Sequence, residues 1–121
     1  MYARNRYVCT YPIALLARTD LAAFEQAMLE LVMPQTRLLR RNLAGLSIDH
    51  RLLRFTGGRR TFRYMWEVAL SDLQVIGSEL PSQEQYERVF RDLDLAVERA
   101  VEPWGTLGRR QVLMEVGIAS V

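Results

Sequence analysis

The sequence predicts an α+β domain: a four-stranded, mainly antiparallel sheet in the order β-α-β-β-α-β, two helices packed on one face, and a long central hairpin. Three observations carry this reading. Phe62, Tyr64, Trp66, Val68 and Leu70 alternate strictly with Arg63, Met65, Glu67 and Ala69, the period of a strand buried on one side. Gly57-Gly58 stands just before that run and supplies the positive φ values of a tight hairpin turn. Two further stretches, on either side of the hairpin, repeat apolar residues at helical spacing. A chain of 121 residues is the size of one core, so residues 1–121 are read as a single domain.

Taken in order, Arg6 to Leu16 favours extended structure through Tyr7, Val8, Cys9, Thr10 and Tyr11, with Pro12 placing the strand end at a sheet edge or bulge. Thr19 or Asp20 caps a first helix whose apolar face is Leu21, Phe24, Met28, Leu31 and Val32. Pro34 is expected to kink or end it, with a second helical piece over Gln35 to Asn42 stopped near Gly45. A hairpin from Leu46 to Gln74 follows, and a two-residue loop would set Leu53 opposite Phe62 and Arg51 opposite Tyr64. Ser82 and Gln85 form a capping box ahead of a long stripe of Tyr86, Val89, Phe90, Leu93, Val97, Ala100 and Val101. Glu102-Pro103-Trp104-Gly105 ends that helix. Arg110 to Val121 then alternates as a closing strand, with Val112, Met114, Val116 and Ile118 on one face.

Composition narrows the function. No apolar run approaches the roughly 18–20 residues a membrane span needs, so no membrane partner is expected. Pro12 interrupts the one stretch that looks like a leader, and the chain reads as soluble and unprocessed. Cys9 is the only cysteine, which excludes an internal disulfide and leans towards a reducing compartment. All sixteen basic residues are arginine, whose planar fork grips carboxylates and phosphates in pairs of hydrogen bonds. The charge is also segregated. Residues 35–63 hold eight arginines against Asp49 alone, net +7, while residues 64–108 hold three against nine acids, net −6.

No catalytic, cofactor or metal site is expected. His50, the one histidine, adjoins Asp49, but neighbouring strand residues point to opposite faces and cannot pair. One histidine, one cysteine and scattered acids have no metal-ligand spacing. Gly57-Gly58 with Arg59-Arg60 resembles a phosphate-binding turn, yet no phosphate-loop pattern surrounds it. Nucleic acid is a possible partner through these arginines, with Phe62, Tyr64 and Trp66 stacking on bases. The same aromatics cannot also fill the core, and an aromatic stripe on an apolar face is more often core.

The order of a helix, a long hairpin, a passage from Arg60 to Val101 and a closing strand from Arg109 to Val121 resembles small phage tail-terminator and neck proteins. That resemblance implies a non-enzymatic role in a ring of subunits, commonly six, that caps the tail tube and joins it to the head. It would place the protein in the virion, and otherwise in the cytoplasm. The extended segment before the first helix departs from the family pattern, and no functional residue carries over.

The leading expectation is therefore a structural subunit of a homo-oligomer or larger assembly. Arg51, Arg54, Arg59, Arg60 and Arg63 are its candidate contacts, with Glu84, Glu87, Asp94 and Glu98 as acidic counterparts. The alternatives are a nucleic-acid-binding module and a small ferredoxin-like dimeric enzyme in which Tyr7, Tyr11, His50 and Cys9 act.

Overall fold

The computed structural model describes residues 2–42, 47–57, 62–74, 83–117 and 119. The elements are β1 (Tyr2–Leu15), α1 (Leu21–Leu29), α2 (Val32–Asn42), β2 (Ser47–Arg54), β3 (Tyr64–Gln74), α3 (Gln83–Val101), β4 (Gly105–Leu107) and β5 (Gln111–Met114). Every pairing is antiparallel, in the order β2-β3-β1-β4, and β5 pairs with β1. β4 and β5 follow one another along the same side of β1, so the sheet has the four positions and the α+β order expected.

One face of the sheet is the core. Cys9, Tyr11 and Ile13 of β1 and Tyr64, Trp66, Val68 and Leu70 of β3 bury against Phe24, Met28 and Leu39 of α1 and α2 and against Val89, Leu93, Val97 and Val101 of α3. The register puts these strand residues in shared rows, such as Leu52–Trp66–Tyr11 across β2, β3 and β1. The buried aromatics are thus core, as their alternation suggested, and Trp66 Nε1 donates to Gln35 Oε1 at 3.3 Å beneath α2. Phe62 is the exception. It lies outside β3, and a Cβ on Gly108 would come within 2.8 Å of its ring, so glycine there is what admits it beside Pro12.

Several local expectations are corrected. Asp20 is the N-cap, accepting from Ala23 N at 3.2 Å, but the helix breaks at Glu30 rather than at Pro34. Pro34 instead sits in the first turn of α2, where a missing N–H costs nothing because first-turn donors lack intrahelical partners. Pro12 lies inside β1, which is a central strand. Its carbonyl accepts from Gly108 N at 2.7 Å, so its absent donor points at the gap between β4 and β5, where the pairing slips by one residue. A central proline is tolerated because the ladder is already interrupted there.

The hairpin register also differs. Leu53 pairs with Met65 and Arg51 with Glu67, because the strands are joined by residues 55–63 rather than by two. The closing strand is shorter than read, preceded by β4, and all four residues of β5 are exposed rather than buried on one side. Gly45, Gly58, Ser82 and Ile118, and the side chains of Gln85 and Tyr86, fall outside the described residues.

Candidate functional site

α3 runs beside the β4 side of the sheet, and where its second half meets that edge the structure builds one organised polar cluster. Tyr11, second in the inward row of β1 after Cys9, reaches up to α3 and donates its hydroxyl to Asp94 Oδ1 at 2.6 Å. Arg110, in the segment between β4 and β5, brings Nε to the same oxygen at 2.8 Å. Its guanidinium carbon lies 5.4 Å from the centre of the Phe90 ring, one turn earlier on α3, and Tyr7 meets Phe90 edge-on at 6.4 Å. Above this cluster is a cleft of about 730 Å³, lined by Leu95, Val101 and Leu107 and rimmed by Glu98, Arg99 and Glu102.

Burial keeps Tyr11 and Cys9 protonated. Burial raises Tyr11, and its hydrogen bond to the Asp94 carboxylate raises it further. Burial pushes the Cys9 thiol up to about 11, with Arg110 pulling weakly the other way. Cys9 is therefore a neutral thiol near pH 7 and not a nucleophile. A thiol reagent added to the native protein at pH 8 is expected to label Cys9 only after denaturation. The sign of the linkage follows: the folded form holds the proton above the ordinary value of 9.0, so stability present below pH 9 is lost as pH rises towards about 11. Denaturant titrations at pH 8 and pH 10.5 check this, and a Cys9→Ser variant is expected to reduce the difference, the remainder coming from the raised Tyr11 and Tyr64 hydroxyls.

His50 does not join the cluster. It faces the core on β2, across Val68 from Cys9, so two strand spacings of about 4.8 Å each separate them. Its ring lies 5.6 Å from that of Trp66, and burial lowers its pKa while Asp49 opposes the shift. Asp49 points to the other face, as expected, where it meets Arg6 at 3.4 Å. Tyr7, Tyr11, Cys9 and His50 are thus not one constellation. Among the described residues no group of three or more histidine, cysteine or acidic residues is placed to hold a metal, and no helix is long and apolar enough to cross a membrane.

The predicted contact residues scatter. Arg51 pairs with Glu67 of the neighbouring strand at 2.8 Å. Arg54, at the end of β2, lies near Glu25 and Tyr64, whose hydroxyl burial raises. Arg63 is exposed, and its backbone ties the hairpin loop to Ile13 and Phe55. Arg59 and Arg60 lie outside the described residues. Glu84 pairs with Arg88 one turn on, Glu87 is exposed on α3, Asp94 belongs to the polar cluster, and Glu98 rims the cleft. Sequence reasoning missed Arg110 and the link between Tyr11 and Asp94. Only the column of acids at i, i+4 and i+8 on α3 signalled this side of the molecule.

The strand order and the helices on one face define a ferredoxin-like α+β fold. Solved structures with that arrangement include a designed protein with a ferredoxin fold, at a TM-score of 0.60 and 13% identity over 96% of this chain and 91% of that one. SnoaB, a cofactor-independent oxygenase from Streptomyces nogalater, aligns at 0.54 and 12% over 93% and 95%. A Dabb family protein from Mesorhizobium loti with a ferredoxin-like fold aligns at 0.52 and 12% over 96% and 100%. At these identities the likeness shows the fold alone. No protein-family model matches the sequence, and no curated protein matches it.

Proposed function

We propose that the chain is a non-catalytic subunit that works as a homo-oligomer, two copies meeting through β5 and the sheet face it borders. One observation carries this. Val112, Leu113, Met114 and Val116 are 40, 53, 57 and 95% exposed, four large apolar residues in five positions on β5 and just beyond its end, and the outer edge of β5 is unpaired among the described residues. Proteins guard free edges with charge, because an unguarded edge is a template for pairing. The opposite edge, β2, is guarded in that way by Asp49, Arg51 and Arg54. On this reading the hairpin arginines protect one edge, and the contact belongs to the other.

The face beside β5 supports the same partner. All described helices lie on the other side of the sheet, and on this face Val8, Pro12 and Met65 are only half-buried while Leu113 is exposed. Its charges are largely matched: Arg6 meets Asp49 and Glu115, and Arg51 meets Glu67. Such a nearly neutral face accepts a copy of itself more readily than a polyanion, which favours self-association over nucleic acid. Thr10, 5% exposed on that face, has no hydrogen-bond partner for its hydroxyl among the described residues.

Light scattering on the purified protein at tens of micromolar is expected to give twice the 14.0 kDa chain mass. A strict monomer at that concentration overturns the reading. A tail-terminator-like ring in a virion is a finer proposal about the same assembly, supported by a particle of several more copies rather than by a dimer.

A further inference from the structure

The core face holds a second polar spot, used neither by the Asp94 cluster nor by the proposed contact. It lies where α2 meets Trp66. The indole N–H donates to Gln35 Oε1, and the Gln35 amide nitrogen is left buried with no partner among the described residues. His50 enters from β2, its ring 5.6 Å from that of Trp66 and tilted by 40°. Its Nε2 is likewise buried with no partner among the described residues. Ile48 and Leu52, two positions to either side on the same face of β2, pack against the core. A histidine thus stands in a row otherwise filled by aliphatic side chains.

That spot suits imidazole and not imidazolium. The neutral ring offers one donor and one acceptor, whereas the protonated ring donates from both nitrogens. The other polar groups at Trp66 are the indole N–H and the Gln35 amide nitrogen, both donors, and the Gln35 oxygen is already engaged by the indole. A proton on His50 therefore puts a charge among donors and away from water, and a buried charge without a partner is costly.

The surrounding charges do little to offset it. Asp49, Arg51 and Glu67 alternate to the other face of the sheet, where Arg51 pairs with Glu67. Arg37, Arg40 and Arg41 of α2 are exposed, and so is Glu30 beyond α1. Glu25 of α1 lies with Arg54 and Tyr64 at the far end of β2. α3 turns Val89, Leu93 and Val97 to the core. Burial accordingly lowers the pKa of His50, and Asp49 opposes the shift without cancelling it.

We infer that His50 is an acid-sensitive latch between β2 and α2: one proton on its ring releases α2 from the β2 side of the sheet while α3 stays packed. The unfolded chain takes up that proton at the ordinary value of 6.5 and the folded chain only below it. The stability held by the neutral ring is therefore full above pH 6.5 and is lost as pH falls through that value.

His50 is the only histidine, so its ring resonances can be followed by NMR from pH 8 to pH 5 without a variant. They are expected to titrate below 6.5. Amide hydrogen exchange, corrected for its intrinsic pH dependence, is expected to show Leu38, Leu39, Ile48 and Leu52 opening about tenfold more at pH 5.5 than at pH 7.5, the limit for one proton. Val89, Leu93 and Val97 are expected not to change. A His50→Leu variant, which keeps an apolar body in the row, should remove the response. The inference is overturned if the ring titrates at or above 6.5, if the α3 amides open together with those of α2 and β2, or if His50→Leu keeps the response. Should that variant fail to fold, the ring titration and the exchange pattern of the parent decide alone. The latch lies on the face opposite the proposed contact, so oligomeric mass is read separately from it.

Discussion

Replacing Trp66 with alanine is expected to lower the unfolding free energy by about 3–5 kcal/mol, the range for truncating a large buried aromatic. Trp66 is fully buried at the middle of β3, in one row with Leu52 of β2 and Tyr11 of β1. The cavity left behind would lie between those neighbours and α2, where the strand rows are hydrogen-bonded on both sides and cannot easily close in. A second loss comes from the indole N–H, which donates to Gln35 Oε1 beneath α2. Gln35 is itself buried, so its amide oxygen would lose its partner. Trp66→Phe separates the two effects. It keeps most of the burial and removes the donor, and about 1–3 kcal/mol of loss is expected for the unsatisfied amide. Urea titrations of the two variants measure both figures. A Trp66→Ala variant as stable as the parent would mean that the stripe is not core, and the base-stacking reading of Phe62, Tyr64 and Trp66 would regain its ground.

That stripe shows why so much of the fold was legible. Period-2 alternation in β3 and helical spacing in α1 and α3 are local records of which side faces the core, and Tyr64, Trp66, Val68, Val89, Leu93 and Val97 all bury as they predict. The failures are places where a non-local fact decides. The hairpin register depends on loop length, and Gly57-Gly58 cannot announce that residues 55–63 all belong to the connection. Pro12 reads as a strand end because nothing nearby in sequence shows that its missing donor falls opposite a gap between β4 and β5, almost a hundred residues on.

The site was less legible than the fold for the same reason. Tyr11, Asp94 and Arg110 come from three elements, and each alone looks like a core aromatic, a helix-surface acid and a surface base. Charge counting along the chain gave the right signs but the wrong partners. Arg51 meets Glu67 on the adjacent strand, and Asp94 meets Arg110, whereas the basic hairpin and the acidic α3 lie towards opposite edges of the sheet. The alternation after Arg110 marked a strand only over Gln111–Met114, and alternation does not report whether this chain supplies anything to cover it.

The substitution of Leu113 and Val116 by glutamate is expected to weaken self-association by at least about a hundredfold, reading each buried aliphatic side chain at about 1.5–3 kcal/mol. In a two-fold contact each change occurs twice, and the new carboxylates approach their own copies across the axis. Because both residues are exposed in the single chain, the variant's monomer should keep its unfolding free energy within about 0.5 kcal/mol. That difference separates an interface residue from a folding residue. The matching control lies on the other edge. Arg51, with its side chain 64% exposed, and Arg54 can be changed to glutamine at the modest cost of a surface ion pair. If β5 is the contact, the Arg51→Gln, Arg54→Gln protein keeps the parent's mass in light scattering while the Leu113→Glu, Val116→Glu protein falls to a monomer. If the hairpin arginines make the contact, the two results exchange places, because an unguarded β2 would then lose the very groups that hold its neighbour. One pair of mass measurements therefore assigns the interface to one edge of the sheet or the other.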